Sequence, residues 1–178
     1  MQLNIGQKVA YPNQGICLVE DIERKKIGNN SIDFYFLRVL SDNSTIFVPT
    51  VNAETVGIRP IICAKELKHL VDFLAQKFEA VSPDWKVRSR EYSEKLQSGD
   101  VFEAADVLKK LSFLSREKKL SFREQSLFEK SKFLVVSEIT NAGLSDEEKI
   151  REKVEKLVKK ACDNHRGLPP KTMTAKNH

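Results

Sequence analysis

The spacing of apolar residues changes period near residue 64, and that change divides the chain. From Gln7 to about Ile62, short β-branched and aromatic runs alternate with turn residues, which predicts strands over 7–11, 16–26, 32–40, 44–48 and 58–62. Pro12-Asn13-Gln14-Gly15, Gly28-Asn29-Asn30 and Ser41-Asp42-Asn43 supply turns between them. Within 32–40 the alternation places Ile32, Phe34 and Phe36 on one face, while Asp33 and Arg38 break the other. Five short strands at this spacing predict a small antiparallel barrel, an architecture that commonly serves as an interaction module.

Past Pro60 the apolar period becomes 3.6. Leu67, Leu70, Val71, Leu74 and Phe78 form one helical stripe. A second helix is predicted from Ser82 to about Leu96, where Ser98-Gly99 breaks it. Asp100 with Glu103, Ser121 with Glu124 and Ser145 with Glu148 each have capping-box spacing ahead of an apolar-periodic run, so three further helices are expected. Their stripes are Val101, Ala104, Ala105, Leu108 and Leu111; Leu127, Ser131, Leu134, Val135 and Ile139; and Ile150, Val154, Leu157, Val158 and Ala161. The expected class is α+β in two domains, an antiparallel β-barrel over residues 1–62 followed by an all-α bundle of about five helices over 63–166. Residues 167–178 read as a disordered basic tail. The apolar stripes suffice to bury a core within one chain, which predicts a monomer.

One helix start carries unusual chemistry. In Ser82-Pro83-Asp84-Trp85-Lys86-Val87-Arg88-Ser89-Arg90-Glu91-Tyr92 the sole tryptophan stands beside three cations. Ser82 reads as the cap and Pro83 as the first helical residue, with Asp84 at the positive end of the macrodipole. Helical spacing then places Trp85, Arg88 and Tyr92 on one face and Lys86 and Arg90 beside it. A flat apolar ring flanked by cations suits a nucleic-acid backbone and an unstacked base step. A single tryptophan is equally at home as a packing residue between domains, and cationic helices are commonly just solvated faces, so both readings stand at this point.

Charge does not separate them. The formal net charge is +5, but residues 1–65 hold seven Lys/Arg against six Asp/Glu, and residues 66–158 hold eighteen against eighteen. Most of the excess belongs to residues 159–178, so the helical body should bind free duplex poorly. No apolar run is long enough to span a membrane and no signal peptide begins the chain, which predicts a cytoplasmic protein. Cys17, Cys63 and Cys162 lack metal or disulfide spacing and are expected to be small buried apolar residues. His69, His165 and His178 have no ligand partners at metal spacing, and there is no phosphate loop, nucleophile elbow or HExxH. Neither an enzyme nor a cofactor is expected.

Several longer motifs then resemble a known family. Val9-Ala10-Tyr11-Pro12-Asn13-Gln14-Gly15, the run from Val48 to Pro60, Asp84-Trp85 with Arg88, Glu94-Lys95-Leu96-Gln97-Ser98-Gly99-Asp100, Ala105-Asp106-Val107-Leu108, Ser115-Arg116-Glu117-Lys118-Lys119-Leu120-Ser121 and Leu134-Val135-Val136-Ser137-Glu138-Ile139 are similar, in order, to the CarD/CdnL bacterial transcription regulators. The resemblance covers about residues 3–142. It implies a Tudor-like (SH3-like) barrel that binds the RNA polymerase β subunit, through positions matching Lys25 and the strand Ile46-Phe47-Val48. It also implies a helical domain that contacts promoter DNA with little sequence specificity at the upstream edge of the open bubble. There Trp85 would wedge into the minor groove, with Lys86, Arg88 and Arg90 along the backbone, and stabilise the open complex. The alternative is a polymerase-binding adaptor without DNA contact. Phe47 stands where family members often carry a basic residue, and the basic segment is interrupted by Val87 and Ser89 where consecutive arginines are more usual.

Overall fold

A computed structural model describes residues 1–143 and 145–165. The predicted basic tail lies outside the described residues. Five strands, β1 (Lys8–Tyr11), β2 (Gly15–Ile27), β3 (Asn30–Val39), β4 (Thr45–Pro49) and β5 (Arg59–Pro60), pair antiparallel in the linear order β4-β3-β2-β1-β5. A 3₁₀ turn, Thr50–Asn52, and the one-turn helix α1 (Ala53–Val56) link β4 to β5. This is a five-stranded antiparallel sheet, in which β4 and β5 are the edge strands.

The structure decides which face of β3 is the core face. Tyr35, Leu37 and Val39 point inward with Val9, Cys17, Val19, Val48 and Ile58, whereas Ile32, Phe34 and Phe36 are only partly covered on the outer face. Both faces of β3 carry large apolar residues, so the choice rests on partners supplied by β1, β2 and β4, which the segment itself does not contain.

Five helices follow: α2 (Ala64–Ala75), α3 (Trp85–Gln97), α4 (Val101–Glu117), α5 (Phe122–Gly143) and α6 (Glu147–His165). The predicted stripes form a second core that includes Leu70, Leu74, Tyr92, Leu111, Val135 and Val158. Helix α2 stops at Ala75, yet Phe78 stays buried because the extended chain after Gln76 folds back over the core. The start of α5 carries the expected box, with Ser121 and Glu124 bonding reciprocally, whereas at α4 Asp100 caps alone, accepting from Phe102 N at 2.8 Å, while Glu103 turns to Lys95 at 2.9 Å. At α6 Asp146, not Ser145, accepts the free N–H groups of Glu148 and Lys149. Cys63 is exposed rather than buried, and its N–H donates to Glu66 at 2.8 Å in the start of α2, a box that the usual Ser/Thr signature passes over.

The sheet and the helices are locked at one joint. Arg59 of β5 grips the Glu138 carboxylate of α5 with two bonds of 2.6 and 2.8 Å and donates twice to Gly99 O. Glu138 also accepts from Ile62 N and is 3% exposed. Gly15, at φ +91, brings the β1–β2 turn against Phe133 of α5, where an added Cβ would meet the ring at 3.0 Å. Glu138→Gln removes the charge while keeping the shape, and is expected to lower unfolding stability by about 1–2 kcal/mol, read as a shift in denaturant midpoint. An unchanged midpoint would mean that the apolar contacts around Phe133 carry the joint.

Candidate nucleic-acid interface

The start of α3 is a residue or two later than its sequence grammar suggests. Asp84 is the N-cap, in extended conformation, and its carboxylate accepts from Lys86 N at 2.8 Å. Ser82 Oγ accepts only the N–H of Asp84, at 3.3 Å. Asp outcompetes the Ser-Pro start because its cap bond carries a charge and lies nearer the apolar run. Trp85 thereby becomes the first helical residue and is 61% exposed, with Val87 at 45% beside it. Lys86 Nζ lies 5.7 Å from the Trp85 ring centroid. Arg90 meets Glu94 at 3.8 Å, with both side chains largely in water, so a phosphate could readily replace that carboxylate.

Arg88 and Tyr92 do not share the face of Trp85. Tyr92 is 1% exposed in the helical core and Arg88 is 3% exposed. The Arg88 guanidinium donates to Glu124 at 2.7 Å and to the carbonyls of Ser82 and Pro83 at 2.7 and 2.9 Å. It ties the approach to Trp85 onto the start of α5 and has no exposed fork left for a phosphate. Burial alone would raise the Glu124 carboxyl, but Arg88, the Ser121 N–H and Lys118 outweigh it and hold that carboxyl down at about 2. Its geometry is therefore that of a charged internal strut.

Two further buried groups steady residues 76–84. Lys109, 0% exposed, donates to Phe73 O at 2.8 Å and lies 3.6 Å from the Phe73 ring centroid, closing the end of α2. Burial pushes its ammonium down to about 8. His165 is buried and stacks on Phe78 at 4.1 Å with Phe113 edge-on. The segment leading to Trp85 is thus held from three sides, while the ring itself is left in water.

Sequence reasoning passed over one residue here. Phe122 opens α5 and is 93% exposed, two positions before the Glu124 that Arg88 holds. The Arg88–Glu124 pair therefore brings the first turns of α3 and α5 together, each with an unburied aromatic. Lys119 and Arg123 flank Phe122, are exposed and take no ion pair among the described residues. The available signal was Phe122 lying outside the apolar stripe of its own helix.

On the sheet, the four residues Lys25, Ile46, Phe47 and Val48 fall on different sides. Val48 is buried in the sheet core and Ile46 packs partly against it. Phe47 is 45% exposed on the outer face, edge-on to Phe36 at 4.8 Å, with Lys25 Nζ 3.9 Å above its ring. The result is an outer patch beside the edge strand β4, made of Phe47 of β4, Phe34 and Phe36 of β3, and Lys25 of β2.

Two family models match this chain: the CarD-like/TRCF RID domain over residues 3–62 and the CarD C-terminal domain over residues 69–155. The chain belongs to the CarD family. A putative transcription factor, YdeB of Bacillus subtilis (strain 168), is 27% identical over 135 residues, covering 76% of this chain and 88% of that protein. The solution structure of the 72-residue N-terminal domain of Myxococcus xanthus CarD is 34% identical over 33% of this chain and 79% of its own, at a TM-score of 0.29. In this CarD-family chain the first model spans the whole sheet, and the second includes α3, α4, α5 and the first half of α6. The family consists of transcription regulators. Among the described residues no helix is long and apolar enough to cross a membrane, and no three His, Cys, Asp or Glu side chains gather at a metal-binding distance.

Proposed function

We propose that this protein regulates transcription initiation in the cytoplasm by binding the RNA polymerase β subunit through its sheet and steadying the promoter open complex through Trp85. The observation that carries the reading is the 61% exposure of Trp85 on a helix start whose neighbours are anchored internally. A rigidly presented ring with Lys86 and Arg90 beside it can prop an unstacked base step while the cations meet phosphates, without reading base edges. Phe122, exposed at the helix start that the Arg88–Glu124 bond ties to this one, offers a second apolar contact. Arg88 serves by holding the Trp85 segment rather than by touching DNA.

The polymerase-facing surface is the outer patch at β4. Edge strands offer unpaired backbone groups to a partner strand, and Phe47 with Lys25 gives that edge an apolar and cationic flank. Phe47→Asp is expected to weaken binding to the isolated β lobe by tenfold or more in a pull-down or titration, while thermal unfolding stays near that of the parent. Undiminished binding would move the polymerase contact elsewhere. The adaptor alternative required Trp85 to be packed between domains, which its exposure disfavours. Ready quenching of its red-shifted fluorescence by iodide is the expected solution result, and shielding from iodide would restore the adaptor reading.

A further inference from the structure

Helix α6 carries a line of charge for which the reading above has no use. Lys149, Lys153, Lys156 and Lys160 follow one another at steps of four, three and four residues, and all are exposed. At 3.6 residues per turn they fall within an arc of about 60° and extend about 16 Å along the axis. The buried residues of α6, Ile150, Val154, Val158, Ala161, Cys162 and His165, occupy another side. The line is therefore not part of the core.

What makes the line distinctive is where the acids of α6 go. Glu155 turns to Lys132 of α5 at 2.6 Å, Asp163 turns to Arg116 of α4 at 2.8 Å, and Glu147 pairs with Arg151 at 3.0 Å. Glu148 and Glu152 remain exposed and take no ion pair among the described residues, Glu152 lying between Lys149 and Lys156 in sequence. Among the described residues none of the four lysines takes an ion pair, and Lys159 adds a fifth unpaired cation alongside. Elsewhere the helical body uses its acids and bases in near balance. Here tertiary contacts turn Glu155 and Asp163 away from the line, and none of its four lysines takes an acidic partner among the described residues.

We propose that Lys149, Lys153, Lys156 and Lys160 form a second DNA contact, binding the phosphate backbone of duplex DNA without sequence readout. This rests on the reading that the protein works on promoter DNA. One strand of a duplex carries a phosphate about every 3.4 Å of axis, so a ridge of this length can lie along roughly five of them. Lysines are compact charges on flexible stems and suit a backbone followed by charge alone, whereas base or bidentate phosphate recognition favours arginine. The ridge also belongs to the same rigid body as the wedge, because His165 at the end of α6 stacks on Phe78 in the segment leading to Trp85. The duplex continuing from the bubble edge is the expected occupant, and half of this ridge, Lys156 and Lys160, lies beyond the region matched by the family's C-terminal model.

The test compares the full-length protein with a variant carrying Lys149→Gln, Lys153→Gln, Lys156→Gln and Lys160→Gln, a change that keeps helix propensity similar. Affinity for a bacterial polymerase–promoter complex, for polymerase without DNA and for a duplex oligonucleotide alone is measured as a function of salt. With DNA present, the slope of log affinity against log salt should be shallower in the variant by up to about 3.6, near 0.9 for each phosphate that a lysine no longer neutralises. Affinity for polymerase without DNA should not change. An equal slope in both proteins overturns the proposal and leaves α6 a solvated face. Loss of affinity for polymerase without DNA overturns it in favour of an acidic protein surface. Trp85→Ala is run in parallel: it should shorten open-complex lifetime with the salt slope intact, so the wedge and the ridge fail separately.

Discussion

Trp85→Ala is expected to shorten the lifetime of the open complex formed with this protein by roughly ten- to a hundredfold, approaching the lifetime without it. Stacking of an aromatic ring on a base is worth about 1–3 kcal/mol, which sets that range. The variant should remain folded and bound to polymerase. At 61% exposure the ring contributes little to the helical core, and the Asp84 cap and the Arg88 anchor make their bonds without it. Competitor challenge of preformed open complexes, with no factor, with the protein and with the variant, measures the effect directly. Equal lifetimes for the two forms, at equal polymerase affinity, would remove Trp85 from the mechanism.

Acid should undo the strut behind that ring. The folded Glu124 carboxyl titrates at about 2 against an ordinary value of 4.5. A group with a depressed folded value contributes its stability above the unfolded value and loses it as pH falls through the folded one. The window here therefore runs from about pH 4.5 down to about pH 2, and the contribution at neutral pH is about 3 kcal/mol at most. Glu124→Gln should be less stable than the parent at neutral pH, and the two denaturation curves should converge near pH 2. Curves that stay parallel across that range would show that Arg88 is held by the Ser82 and Pro83 carbonyls alone. In the same variant, greater mobility of residues 82–84 by hydrogen exchange would link the strut to the presentation of Trp85.

Both predictions depend on a division of labour that the sequence blurred. Arg88 and Arg90 are two positions apart, and helical spacing favours Arg88 for the tryptophan face. The structure assigns them opposite tasks because Glu124, thirty-six residues away, offers Arg88 a buried charged partner, while Arg90 finds only the exposed Glu94. The choice of inward face on β3 has a similar origin, since Phe34 and Phe36 are as apolar as Tyr35 and Leu37, and only the neighbouring strands choose between them. Phe47, a departure from the family's usual basic residue, gains sense once it is seen against Phe36 and Lys25 on that outer face.

The change from strand to helix near residue 64, the helical stripes, the cap at α4, the capping box at α5 and the family were all legible in the residues alone, because these depend on periodicity and on bonds spanning three or four positions. Folding settled the rest: which face of β3 is inside, that Arg88 is a strut, that Phe122 stands in water and that Glu155 and Asp163 of α6 pair with α5 and α4. Each of those outcomes depends on a partner distant along the chain, and the energy of an ion pair or an apolar contact exists only once the fold has brought the two together.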